Sequence, residues 1–131
     1  MPTVTAQLHD ARRATPQGIG PLRRAVIALA ARGGASDRQR QDIALAVSEA
    51  LTNAVEHAYA GHDLPGPVAV HAALYDSALE VLVTDDGVGL PAPTLHPATG
   101  LGLSIIARAA DRLELSDAMP GTRVRMTFAI G

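Results

Sequence analysis

Ala46-Val47-Ser48-Glu49-Ala50-Leu51-Thr52-Asn53-Ala54-Val55-Glu56-His57-Ala58-Tyr59 reads as the second half of a long helix. Ser36 followed three residues later by Gln39 makes a capping box, so the spacing predicts one helix from about Asp37 to Tyr59. Ile43, Val47, Leu51 and Ala54 or Val55 would face the core. Gly61 and the Pro65-Gly66-Pro67 cluster end the helix and open a loop. Glu49, Asn53 and His57 follow one another at four-residue steps, which places them along one helix face beside the apolar stripe. Such a row is either the solvated edge of an amphipathic helix or the wall of a polar site. A carboxylate and a carboxamide oxygen suit a magnesium ion.

Working outward, Val68 to Tyr75 and Leu79 to Thr84 alternate or run apolar and predict two strands. The short turn at Asp76-Ser77 between them implies antiparallel neighbours. Asp85-Asp86-Gly87-Val88-Gly89 follows at once. Asp-Gly is a good turn in its own right, and glycines two apart also let backbone approach a ligand closely. An acidic side chain at a strand end can accept a hydrogen bond from an exocyclic amine such as that of adenine. From Gly87 to Gly100 the prolines at 91, 93 and 97 preclude regular helix. Thr99-Gly100-Leu101-Gly102-Leu103-Ser104 then opens a third helix, expected from Leu101 to Arg112 with Leu103, Ile106 and Ala110 inward. A glycine-rich helix start offers backbone N–H groups to a phosphate.

Towards the N-terminus, Thr3 to Leu8 predicts a short strand, placed at an edge. Arg12, Arg13, Pro16, Gly18 and Gly20 read as an irregular connection. Pro21 is then placed at the first turn of a helix carrying Leu22, Val26 and Leu29, closed by Gly33-Gly34. Towards the C-terminus, Leu113 to Leu115 and Thr122 to Ile130 predict two last strands around a turn at Met119-Pro120-Gly121. The expected fold is α+β: a two-layer sandwich of a mostly antiparallel, mixed sheet with helices on one face, residues 1–131 forming one domain.

Composition narrows the function. All 11 basic residues counted as Lys+Arg are arginines, so the lysine that a P-loop sets against phosphates is missing. There is no cysteine, which excludes disulfides and thiolate zinc sites. Aromatic residues make up 2% of the chain and the net charge is −2, which argues against nucleic-acid or anionic-membrane binding. Met1 to His9 lacks a signal-peptide pattern and no apolar run is long enough to span a bilayer. A cytoplasmic location is expected.

The order of the three polar elements is more specific than any one of them. Glu49-x-x-x-Asn53 on a helix, Asp85-x-Gly87-x-Gly89 after a strand, then Gly100-Leu101-Gly102 before a helix resembles the GHKL, or Bergerat-fold, ATPases. The stretch 46–59 and the ending Gly121-Thr122-Arg123-Val124-Arg125-Met126-Thr127 resemble, more narrowly, the RsbW-type anti-sigma factor serine/threonine kinases. The resemblance implies ATP and Mg²⁺ as cofactors, Asn53 as the metal ligand and Glu49 as general base towards the accepting hydroxyl. It implies that Asp85 accepts from the adenine amine, with Gly87 and Gly89 giving room to the base. Thr99, Gly100, Leu101 and Gly102 would cradle the phosphates, and Thr122 would support the adenine end. Residues 90–99 would form the ATP lid, which holds His96 but neither Arg nor Lys. Arg108 and Arg112 are expected to face solvent or a partner.

The implied function is a protein kinase that phosphorylates a STAS-type anti-sigma factor antagonist and also binds a sigma factor, with a homodimer as the expected state. One alternative is an ATP-dependent binding module that switches partners without phosphoryl transfer. Another is the catalytic ATP-binding domain of a histidine kinase. Only about 35 residues precede the long helix, short for the helical hairpin that such a kinase carries.

Overall fold

The computed structural model describes residues 3–88, 103–117 and 120–131. Their order is β1 (Ala6–Arg13), α1 (Pro16–Arg32), α2 (Asp37–Asn53), a π-helical turn (Ala54–Ala58), β2 (Pro67–Leu74), β3 (Ala78–Asp85), α3 (Leu103–Ala109), β4 (Arg112–Asp117) and β5 (Thr122–Ala129). The strands form one sheet in the order β1-β2-β3-β5-β4. All four pairings among the described residues are antiparallel. The edge position expected for the first strand is observed.

Alternation along each strand decides which face is covered. Val68, Val70, Ala72 and Leu74 of β2 are buried, as are Leu79, Val81 and Val83 of β3 and Val124, Met126 and Phe128 of β5. Against this face pack Leu22 and Val26 of α1, Ile43, Val47 and Leu51 of α2, and Ile106 of α3, all fully buried. Apart from Phe128 the core is therefore aliphatic, and it lies between two layers, as the composition implies. On the opposite face of the sheet the rings of His9 and His71 stack across the β1–β2 pair with centroids 4.6 Å apart.

Several boundaries depart from the sequence reading. The first strand runs from Ala6 to Arg13 rather than from Thr3 to Leu8, because its partner β2 offers a ladder as far as Pro67, opposite Arg13. The irregular connection expected at residues 12–20 is thus strand end and helix start. Helix α1 begins at Pro16, with Thr15 as its N-cap: the Thr15 hydroxyl accepts from the Gly18 N–H at 3.0 Å. Pro21 lies inside the helix. Arg112 belongs to β4, opposite Thr127, not to the third helix. What ends that helix is Asp111, whose N–H donates to the Thr127 carbonyl at 2.9 Å. Its carboxylate accepts from the Ala129 N–H at 2.7 Å.

Candidate functional site

The capping box at the start of α2 is present in both directions. The Ser36 N–H donates to Gln39 Oε1 at 2.8 Å, and the Gln39 N–H donates to Ser36 Oγ at 3.1 Å. Helical geometry then holds as far as Asn53, so Glu49 and Asn53 lie one turn apart on one face. Both are half-buried. The step from Asn53 to His57 crosses into the π-helical turn, so the expected row of three does not continue. His57 is exposed, and its Nε2 lies 3.7 Å from the Glu56 carboxylate. A π turn inserted into an α-helix commonly marks a functional position.

Strand β3 ends on Asp85. Asp85 is opposite Val68 on one side and Thr122 on the other. It is 8% exposed and Thr122 is 7% exposed, and these are the two buried polar residues among the described core. One Asp85 carboxylate oxygen accepts from the Gly87 N–H at 2.9 Å, an Asx-type turn. Burial pushes the Asp85 carboxyl above the usual carboxylate value, against the opposing effect of the Gly87 and Thr122 backbone N–H groups. A buried carboxylate so held offers its remaining lone pairs to one directional donor.

Close backbone approach fixes the turn around it. A Cβ on Gly121, where φ is +97°, would meet the Asp85 carbonyl oxygen at 1.7 Å. Tyr59 and Gly121, which the sequence reading assigned no part here, both border this turn. The Asp86 N–H donates to the Tyr59 hydroxyl at 3.0 Å. Tyr59 closes the stretch 46–59 and Gly121 opens the stretch 121–127 on which the family resemblance rests, but the resemblance gives neither a role in this turn. The Val88 N–H donates to the Ala58 carbonyl at 2.8 Å. The helix that carries Glu49 and Asn53 is thus bonded at its end to the turn that carries Asp85. Gly89, Thr99, Gly100, Leu101 and Gly102, and the expected lid at 90–99, lie outside the described residues.

The oxygen donors of Glu49 and Asn53 are chemically suited to Mg²⁺, which takes one or two protein ligands and completes its shell with phosphate oxygens and water. Among the described residues no group of three His, Cys, Asp or Glu side chains forms a metal cage. No described helix is long and apolar enough to cross a membrane.

Comparison with known proteins bears on this arrangement. The family model for the histidine kinase-like ATPase domain matches residues 12–128. The serine-protein kinase RsbW of Bacillus pumilus is 35% identical, with 87% of this chain and 80% of that protein covered. The RsbW of Bacillus subtilis is 39% identical over 56% of this chain and 46% of its own length. Among solved structures, the RsbU and RsbW domains of a Mycobacterium tuberculosis protein match with a TM-score of 0.74 at 27% identity, over 96% of this chain and 33% of that one. The histidine kinase domain of a blue-light activated histidine kinase from Erythrobacter litoralis matches at 0.62 and 26% identity, over 86% and 59%. The chain thus spans most of one relative but about half of the Bacillus subtilis protein. With a family model spanning nearly all of it and a relative similar along most of its length, this chain belongs to the histidine kinase-like ATPase family, in its RsbW-type group.

Proposed function

We propose that this chain is an ATP-dependent serine kinase and anti-sigma factor that transfers the γ-phosphoryl group of ATP to a serine of a STAS-type antagonist. The observation that carries the reading is the buried Asp85 carboxylate, held by the Gly87 N–H beside Thr122 and ready to accept from the adenine amine. Family membership supplies the reaction class, and an RsbW named as a serine-protein kinase supports serine as the acceptor. Asn53 would hold Mg²⁺ against the phosphates. The ion would draw negative charge off the phosphoryl group being transferred. Glu49, one turn before Asn53, would take the proton of the attacking serine hydroxyl. The oxygen then bonds to the γ-phosphorus as the bond to the ADP oxygen breaks. Thr122 would steady the adenine end. Gly89, Thr99, Gly100, Leu101 and Gly102 would line the base and phosphates. The setting is cytoplasmic, and a homodimer and a sigma factor are the further partners.

The alternative of a binding module without transfer is favoured by one feature: residues 90–99 contain no Arg or Lys to neutralise phosphate charge. Incubation of the purified chain with labelled Mg-ATP and candidate STAS proteins, scored for phosphoserine, separates the two. Label on a serine of the antagonist supports the kinase. Tight ATP binding with no transfer to any candidate would leave the binding module.

A further inference from the structure

The π-helical turn Ala54–Ala58 ends at Tyr59, and three chain segments meet at that side chain. Its hydroxyl donates to the Pro67 carbonyl at the start of β2 and accepts from the Asp86 N–H just beyond β3. Its ring lies where Gly66 leaves room: a Cβ on Gly66 would stand 2.5 Å from Tyr59 Cε1. One residue earlier, the Ala58 carbonyl accepts from the Val88 N–H at 2.8 Å. Asp86 sits between Asp85 and Gly87, whose N–H bonds the Asp85 carboxylate at 2.9 Å. Both neighbours of Gly87 are therefore tied to the end of the helix, at Asp86 through a side chain and at Val88 through backbone.

Nothing in the three sequence motifs assigns Tyr59 a part. We propose that Tyr59 is a positioning residue for adenine selectivity: its hydroxyl, bridging the Pro67 carbonyl and the Asp86 N–H, holds the Asp85–Gly87 turn so that the carboxylate meets the exocyclic amine. The inference rests on the reading of Asp85 as the adenine acceptor. An acceptor selects for an amine only while its direction is fixed, because a turn free to rotate presents a water-bridged carboxylate to any base. The clamp also joins the base-recognising turn to the helix bearing Glu49 and Asn53, so both halves of the site share one support.

The test is calorimetric binding of Mg-ATP and Mg-ITP to the wild type, Tyr59→Phe and Gly66→Ala. ITP has an oxo group where ATP has the amine. Tyr59→Phe keeps the ring and removes one hydroxyl, whose two bonds are solvent-exposed, so the fold is retained. Expected is a loss of about fivefold in ATP affinity, the equivalent of one hydrogen bond, with ITP affinity unchanged. The ATP-to-ITP ratio then falls by the same factor. Gly66→Ala displaces the ring instead of deleting the hydroxyl and should lower the ratio in the same direction. Equal weakening for both nucleotides, or an unchanged ratio in Tyr59→Phe beside a discriminating wild type, overturns the clamp alone. A wild type that binds both nucleotides alike overturns the adenine reading, and the clamp with it.

Discussion

Gly87 and the carbonyl of Ala58 are packed so closely that a Cβ on Gly87 would lie 1.9 Å from the Ala58 oxygen. That oxygen is already engaged by the Val88 N–H at 2.8 Å, so neither side can retreat without breaking the bond that joins turn and helix. Gly87→Ala should therefore destabilise the protein by about 1–3 kcal/mol through overpacking against backbone. Because the same shift moves the turn holding Asp85, ATP binding should fall as well. Chemical denaturation and nucleotide titration on one preparation check both. A variant as stable as wild type would show that the approach is looser than the geometry states.

Asp85→Asn addresses the acceptor itself. Exchanging the carboxylate for an amide removes a charge-assisted hydrogen bond, worth about 1.5–3 kcal/mol, or roughly ten- to a hundredfold in ATP affinity. Unchanged affinity would remove the adenine assignment.

The raised pKa of Asp85 adds a pH signature. Its unfolded value is near 3.8 and burial lifts the folded one. Between the two the native state binds more protons than the unfolded chain, so stability from this group is present below 3.8 and is lost as pH rises through the folded value. Stability curves of wild type and Asp85→Asn should therefore diverge with pH across that window and run parallel above it. ATP affinity should weaken on acidification at a higher pH than an ordinary carboxylate would cause, and Asp85→Asn should lack that inflection.

Much of this was legible in the chain because its causes are local. The capping box at Ser36 and Gln39 needs four consecutive residues, and the alternation of β2, β3 and β5 needs eight in each strand. The errors arise where a distant partner decides. The start of α1 is the exception, because its signal is local: Thr15 before Pro16 is a good N-cap, and its hydroxyl accepts from the Gly18 N–H. The π-helical turn was not foreseeable, because the bonds at its end come from Asp86 and Val88. Tyr59 was legible as the end of the helix but not as a clamp on the turn, because its partner Asp86 lies 27 residues away. Asp85 was legible as an acidic residue at a strand end. Its burial depends on Thr122 and on the close approach of Gly121, which no spacing reveals.

The capping box offers a control remote from the site. Ser36→Ala removes the acceptor of the Gln39 N–H at 3.1 Å and should cost about 1 kcal/mol of stability. Helix α2 keeps its buried face of Ile43, Val47 and Leu51, so ATP affinity should not change. A loss of binding comparable to that of Asp85→Asn would mean that the helix end bearing Asn53 is coupled to its start, which a locally frayed first turn does not produce.

Glu49 decides between kinase and binding module. It is half-buried one turn from Asn53, and in the proposed reading Asn53 holds the metal and Glu49 takes the proton. Glu49→Ala should therefore leave Mg-ATP affinity within about twofold of wild type, less than one hydrogen bond. Phosphate transfer to the antagonist should fall by about 10²- to 10⁴-fold, the usual contribution of a general base. Glu49→Gln, which keeps the shape and removes the basicity, should match it in transfer. If both variants transfer as fast as wild type, Glu49 is not the base. If both lose ATP binding, the carboxylate holds the metal together with Asn53 rather than accepting the proton.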